Sequence, residues 1–317
     1  MGRLCVCTIF SNSYRANGEV LARSVREHHP DAEIVAVALE GAGPLGLGLD
    51  AHELLRLAAM YDAHELVGAL KPYLIRHLLD RGADTVIFLD ADIELYAPLE
   101  EAVALASRHG LVLTPHITRP RAGLEPWFLR SGTLNAGFVA VSREGRPFVD
   151  WWATRTARHG HMAPDDGYFQ EQRWLDFAPS LFGAHVLRDP SYNVMGWNLH
   201  ERSVPPVTFF HFCGGFDPHR AHRLATMPEL PWPSLEEYPA VAELCRAYAA
   251  KLLACGYDEA KQRPYRYGAA DGLTIEPRMR RLYRRALIEA EATGGDEPPN
   301  PFLDSTRFLD WLLEPID

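Results

Sequence analysis

The sequence predicts an α/β protein on a Rossmann-like, mostly parallel central sheet flanked by helices, with a helical extension at its C-terminus. Two observations predict the sheet. Thr85-Val86-Ile87-Phe88-Leu89 is a short, almost wholly apolar run, the pattern of a strand buried on both faces. Leu4 to Phe10 and Glu33 to Leu39 are two further strand-like runs, and a helix-patterned stretch from Arg15 to His29 separates them. A β-α-β start of this kind closes as a right-handed parallel crossover.

The central run ends in Asp90-Ala91-Asp92. Open α/β sheets bind their ligands at the carboxyl ends of their strands. Residues i and i+2 of an extended chain point the same way. Asp90 and Asp92 therefore form a hard-oxygen pair suited to Mg²⁺ or Mn²⁺, with further positions left for phosphate and water. The first β-α turn has no G-x-G-x-x-G, so a dinucleotide site of that type is not supported.

The other elements follow from periodicity. In Arg15 to His29, Val20, Leu21, Ser24 and Val25 mark the buried stripe, and Pro30 lies beyond the end. Gly41 to Gly48 reads as a flexible loop. His52 to Tyr61 and Ala63 to Asp80 are helical in pattern, and Pro72 is expected to bend or restart the second helix. A helix from Pro98 to Arg108 precedes a strand at Leu111 to Pro115. Arg119 to Ser131, rich in Pro, Gly and Arg, reads as a loop. Leu134 to Val141 reads as a strand with a polar head, and Arg146 to Arg158 as a helix. Pro164 to Asp176 reads as a helix crowded with polar side chains, and Tyr192 to Leu199 as a polar and aromatic cluster. Val207 to Phe210 is a strand leading into His211. Helices follow at Glu236 to Ala254, Pro277 to Ala292 and Ser305 to Leu313, with a Pro/Gly-rich linker at Gly294 to Pro301. The natural division is residues 1–233 and a helical extension, 234–317.

At 317 residues the chain is long enough for a large core. Its formal charge of −10 gives no electrostatic footprint for nucleic acid or anionic membrane. Five scattered cysteines, none in a C-x-x-C pair, read as reduced thiols of a cytoplasmic protein. No apolar run approaches the roughly 18–20 residues needed to span a bilayer.

Four stretches taken together resemble one family: Phe88-Leu89-Asp90-Ala91-Asp92, Leu134-Asn135-Ala136-Gly137-Phe138, Glu171-Gln172-Arg173-Trp174-Leu175-Asp176, and His211 before Gly214-Gly215. In this order they are similar to the retaining GT-A glycosyltransferases of family 8, the glycogenin and lipopolysaccharide-galactosyltransferase kind, over roughly residues 3 to 220. The resemblance implies a UDP-sugar donor and a Mn²⁺ or Mg²⁺ ion held by Asp90, Asp92 and His211, with Asp90 also reaching the ribose. It implies that Tyr14 stacks on uracil, and that Lys71 and Gly214 lie near the phosphates. Asn135 would adjoin the transferred sugar or acceptor. Gln172 would face the anomeric carbon, with Glu171 where the family has Asp, and Asp165 or Asp166 would touch the donor sugar. Where the family often carries Lys-Pro-Trp, this chain has Phe216-Asp217-Pro218-His219-Arg220, leaving Arg220 or Arg223 to meet the diphosphate. The extension resembles tails of bacterial envelope or secondary-metabolite transferases, and would shape an acceptor site or an interface between copies of the chain.

The resemblance thus implies transfer of a hexose, with retention, to a saccharide, lipid-linked or protein acceptor. Three rivals are weaker. A haloacid-dehalogenase-like phosphatase usually opens on its D-x-D and has Thr or Val where Glu94 stands. A nucleotidyltransferase lacks its basic Gly-rich loop here. A catalytically silent nucleotide-sugar-binding subunit leaves the metal triad without a task.

Overall fold

Helix and strand alternate through the first two thirds of the chain. The computed structural model describes residues 2–41, 44–202, 204–225 and 232–313. β1 (Leu4–Phe10), α1 (Arg15–His28) and β2 (Glu33–Ala38) open the fold, followed by α2 (Ala51–Met60), α3 (Ala63–Asp80), β3 (Thr85–Leu89) and β4 (Ile93–Leu95). Then come α4 (Glu100–His109), β5 (Leu111–Pro115), α5 (Glu125–Ser131), β6 (Leu134–Ser142) and α6 (Arg146–His159). A short hairpin, β7 (Met162–Ala163) with β8 (Tyr168–Phe169), precedes α7 (Ala178–Phe182), β9 (His185–Val186) and β10 (Phe209–His211). The last part comprises α8 (Pro239–Ala254), α9 (Tyr257–Lys261), the β11–β12 hairpin (Ala269–Ala270, Leu273–Thr274), α10 (Pro277–Thr293) and α11 (Ser305–Leu313).

Six strands form the main sheet in the order β2-β1-β3-β6-β5-β9. β6 pairs antiparallel with both β3 and β5, while the β1–β2, β1–β3 and β5–β9 pairs are parallel. Five strands therefore share one direction and β6 alone opposes them, which makes the sheet mostly parallel as the sequence predicts. The reversal matters for the site. Thr114 lies opposite Asn135 and Leu89 opposite Phe138, so the beginning of β6 is level with the ends of β3 and β5. A second, two-stranded pairing of β10 with β4 sets His211 opposite Ile93.

The apolar run of β3 is buried throughout. α3 and α6 cover one face of the sheet in a core that includes Leu70, Leu74, Phe88, Val139 and Trp152. α1 and α4 cover the other, with Leu21, Val25, Ile87, Leu89, Ala102 and Phe138. α3 starts on a capping box: Asp62 accepts from the Glu65 backbone N–H, and the Glu65 carboxylate accepts from Asp62 N–H.

Three local expectations need correction. α3 does not restart at Pro72, because burial of Leu66, Leu70, Leu74, Ile75 and Leu78 holds the helix where the ring removes one hydrogen bond. The end of the Arg119–Ser131 segment is not loop but α5. Pro126 stands in its first turn, where proline costs nothing, and Gly132 at φ +100° ends it. Pro164 to Asp176 is not one helix: a 3-10 turn at Pro164–Asp166 is followed by β8 and by a second 3-10 turn at Gln172–Phe177. Gly167 at φ +83° and Gln170 at φ +50° break the helical path and turn Glu171 and Gln172 inward. Of the expected Gly41–Gly48 loop, residues 42 and 43 lie outside the described residues, and Pro44–Leu47 form a 3-10 turn.

The C-terminal segment packs back onto the sheet layers. Tyr267, Tyr283, Leu287 and Phe308 belong to the same core as β1 and β3. On the other side, Tyr248 of α8 stacks on Phe212 at 3.8 Å between centroids, and Asn17 of α1 donates to its hydroxyl at 3.0 Å. Arg280, buried in α10, donates to the carbonyls of Ala58, Tyr61 (2.8 Å) and Tyr267. Two of these are end-of-helix carbonyls of α2 with no partner inside the helix. Arg280→Leu is therefore expected to lower the unfolding free energy by about 3 kcal/mol, since it leaves buried carbonyls unpaired. Urea denaturation measures it, and a loss below about 1 kcal/mol would mean the guanidinium does not brace the two parts.

Candidate active site

β3 stops at Leu89, and a tight turn, with Ile93 N–H donating to Asp90 O at 3.1 Å, carries the chain into β4. Asp90 N–H donates to Gly137 O at 2.9 Å, which ties the turn to β6. Just past β10, Phe212 N–H donates to Asp92 O at 2.9 Å. These bonds bring three side chains together. His211 Nε2 lies 3.1 Å from Asp92 Oδ1 and 3.9 Å from Asp90 Oδ2. One ligand atom from each of the three lies within 4.8 Å of the others.

The imidazole is held from behind. Asn193 donates through Nδ2 to Thr114 Oγ1 (2.7 Å) and to Asn135 Oδ1 (3.0 Å), so its Oδ1 faces His211 Nδ1 at 3.3 Å. That oxygen can only accept, so Nδ1 carries the proton and Nε2 is presented to the aspartates. Burial works against a charge on the ring, but Asp92 and Asp90 outweigh it and raise the His211 pKa. Burial likewise opposes ionised Asp92, and His211 overcomes it, leaving the Asp92 pKa lowered. Gly137 stands beneath this arrangement, where a Cβ would overlap the His211 ring and Asn135 Oδ1.

Lys71 of α3 is buried beside the aspartates. Its ammonium meets Asp90 Oδ1 at 2.8 Å, Glu171 Oε1 at 2.8 Å and the Ala136 carbonyl at 3.1 Å. An ammonium has three donors, and all three are used. Burial pulls its pKa down, but Asp90 and Glu171 outweigh burial and raise it, so Lys71 stays charged. Gly68, one turn earlier in α3, leaves room for Glu171, whose Oε2 is buried without a hydrogen-bond partner among the described residues. Gln172 adjoins the same strand end. Its Oε1 accepts from Ala136 N–H (3.2 Å) and lies 3.5 Å from Asn135 Nδ2, while its Nε2 donates to Ser131 O at 2.9 Å.

Asp90, Asp92, His211, Lys71, Glu171, Gln172 and Asn135 thus form one connected cluster. Tyr14 ends the turn after β1 and borders it: burial first, then Asp92, Tyr257 and Asp90, raise its phenol pKa. Gly214 adopts φ +80°, a left-handed conformation suited to glycine, in the turn after His211. The remaining expected residues stand apart. Asp165 pairs with Arg130 at 2.5 Å, Asp166 is exposed beside it, and Arg220 is exposed 3.7 Å from Asp217. Among the described residues, no hydrogen bond or ion pair joins Asp166, Arg220 or Arg223 to the cluster.

Three residues near the site escape a reading of the sequence. Asn193 gives one signal, a polar residue inside an aromatic cluster; its φ of +52° does not show in the sequence. Lys261 of α9 places its ammonium 3.9 Å from the centroid of Tyr14, although 247 positions separate the two. His116 follows β5, stacks on Phe128 at 4.6 Å and tilts against Trp197 at 5.4 Å. Both its ring nitrogens are buried without partners among the described residues, and burial pushes its pKa down to about 3.

No family model matches the chain. An uncharacterised protein of Bacillus subtilis, YfnF, is 25% identical over 185 residues, 51% of this chain and 60% of that protein. The chain thus spans three fifths of that relative's length. Among solved structures, the galactosyltransferase LgtC, in complex with donor and acceptor sugar analogues, is similar at TM-score 0.47 and 17% identity. That likeness covers 76% of this chain and 95% of LgtC. The glycosyltransferase GlyE of Streptococcus pneumoniae is similar at TM-score 0.48 and 13% identity, over 85% of this chain and 66% of GlyE. The mouse xyloside xylosyltransferase 1 is similar at TM-score 0.40 and 12% identity, over 66% of this chain and 97% of that one. These similar structures are glycosyltransferases. At such scores the reading of the site rests on its own residues.

Gly137→Ala is expected to keep the fold, because Gly137 lies in β6 and outside the positive-φ positions, but to displace His211. Mn²⁺ affinity measured by calorimetry should fall about 10-fold or more, the size typical of losing a ligand's support. Unchanged affinity would mean His211 is not a ligand. His116 supplies a second expectation. Its pKa is near 3 in the fold and 6.5 in the unfolded chain, so the unfolded state takes up the proton first as pH falls. Its stabilising contribution is complete above pH 6.5 and lost between 6.5 and about 3. Over that window His116→Phe should flatten the fall of stability by up to about 1.4 kcal/mol per pH unit. Parallel profiles from urea denaturation at each pH would mean the buried ring does not resist protonation.

Proposed function

We propose that this chain is a metal-dependent glycosyltransferase that moves a hexose from a UDP-sugar to a saccharide, lipid-linked or protein acceptor, with retention at the anomeric carbon. The convergence of Asp90, Asp92 and His211 at the carboxyl end of the central strand, beside Gln172 and Asn135, carries the reading. The sequence motifs shared with family 8 support it.

The residues suit a divalent ion. Two carboxylates and one imidazole, three ligands in all, match Mn²⁺ or Mg²⁺ and leave positions for diphosphate oxygens and water. At metal–ligand distances of about 2.1 Å, neighbouring ligands of an octahedron lie about 3 Å apart, close to the 3.1 Å between His211 Nε2 and Asp92 Oδ1. Such an ion supplies charge neutralisation for a departing nucleoside diphosphate.

The protein's own groups would do the rest. Lys71 holds Asp90 and Glu171 in fixed rotamers, so the carboxylates need not reorganise when a ligand arrives. Asn193 sets the tautomer of His211. Gln172 has both ends of its carboxamide tethered, to Ser131 and to Ala136 and Asn135, and its carbonyl dipole would support positive charge at the anomeric carbon while its remaining N–H positions the acceptor hydroxyl. A carboxamide is a poor nucleophile, which favours this role over covalent catalysis. Asn135, in the same cluster, would contact the transferred sugar. The Glu171 oxygen without a partner would take a sugar hydroxyl or an ordered water.

Calorimetry with UDP, GDP, CDP and ADP, each with Mn²⁺ and with chelator, tests the donor site. UDP is expected to bind only with Mn²⁺, and Asp92→Asn is expected to lose that binding while keeping its far-UV circular dichroism. Metal-independent binding, or undiminished binding by Asp92→Asn, would overturn the site assignment. Incubation with UDP-hexoses and an acceptor library should release UDP; phosphate release would mean a phosphatase, and binding without turnover a silent subunit.

A further inference from the structure

A nucleoside diphosphate brings about three negative charges, and a lysine near the metal triad is the natural place to look for a second counter-charge. Lys71 is poorly suited. Its three donors are taken by Asp90, Glu171 and Ala136, and a phosphate could bind it only by displacing one of them. Arg220 is turned to Asp217.

Lys261 is placed differently. It ends α9, a short helix that begins after a left-handed turn at Gly256. α9 packs against the Asn12–Tyr14 turn and is pinned to the Pro218–Arg220 turn by His219 Nε2 and Asp258 Oδ1 at 2.7 Å. Its ammonium lies 3.9 Å from the centroid of Tyr14 and 5.2 Å from that of Tyr257. Both rings hold it by cation–π attraction, worth about 0.5–1 kcal/mol at exposed sites. Among the described residues it makes no ion pair; burial lowers its pKa, against the opposing pull of Asp92 and Asp217. The result is a cation at the mouth of the Asp90–Asp92 site, held in place by aromatic faces. It is exposed and on a four-carbon stem, so it can turn toward an anion without breaking a buried bond.

We propose that Lys261, delivered by the C-terminal extension, is the diphosphate-binding cation of the donor site. The assignment rests on the donor-site reading above. It makes the extension part of substrate binding: α9 carries a charge to the site that the sheet and its loops hold only in spent form. When donor binds, the ammonium turns from the Tyr14 ring toward the phosphates.

The test is calorimetry of the full chain with Mn²⁺, comparing UDP, UMP and uridine on wild type, Lys261→Gln and Lys261→Arg. Lys261→Gln should weaken UDP about 10-fold or more, the size of a lost charge-assisted hydrogen bond. It should weaken UMP less and leave uridine unchanged, and Lys261→Arg should restore most of the UDP affinity. UDP binding unchanged in Lys261→Gln would overturn the assignment and leave the donor site standing. Equal weakening for UDP and uridine would also overturn it, making Lys261 a packing partner of Tyr14. Wild-type protein that binds no nucleoside diphosphate with Mn²⁺ would remove the donor site and this assignment together.

Discussion

The buried ammonium of Lys71 is the interaction on which the site depends. A lysine at 4% side-chain exposure carries a desolvation cost of several kcal/mol unless its charge is fully met. Here two carboxylates and a carbonyl meet it, each from a different element: the turn after β3, the segment after β8, and β6. Satisfying the ammonium therefore requires those three pieces of chain to come together. That explains why Glu171 and Gln172 abandon the helix their neighbours would allow. The residues between β8 and α7 are shaped by where Glu171 must reach.

A second network does for His211 what Lys71 does for Asp90. Asn193 joins Thr114 of β5, Asn135 of β6 and His211 of β10 through a single carboxamide. Its left-handed backbone is a local cost, of a kind that persists where surrounding structure determines it. Asn135 closes the network by accepting from Gly137 N–H (3.0 Å) and Asn193, so the side chain expected beside a sugar also has a structural task.

Much of this was legible in the sequence because local chemistry was strong there. A buried apolar strand ending in two aspartates has few alternatives, and β3, Asp90 and Asp92 are where the pattern puts them. His211 was legible from the glycines after it and from the order of the motifs. The failures share a cause. α5 and the Pro164–Asp176 segment depart from their local pattern because proline, glycine and polar residues report local preference, whereas Phe128 and Glu171 are fixed by distant partners. Asn193 shows in the sequence only as a polar residue among aromatics, and Lys261 not at all, since one acts through an unusual backbone angle and the other across 247 positions.

That last separation bears on how the chain is organised. Composition suggests a catalytic part followed by a helical tail, and a tail would be dispensable. The contacts argue otherwise on both sides of the sheet. Arg280 closes the end of α2, and Arg281 pairs with Glu65, the residue that also caps α3. α3 carries Lys71. The chain of support thus runs from α10 through Glu65 into the helix that presents the buried ammonium. On the opposite side, Tyr248 stacks on Phe212, the residue after His211, and Lys251 pairs with Glu94, two residues after Asp92. The extension grips the chain beside Asp92 and His211 from outside while the sheet grips it from within. A segment that looks like an appendage in sequence is, in the fold, the outer wall of the site.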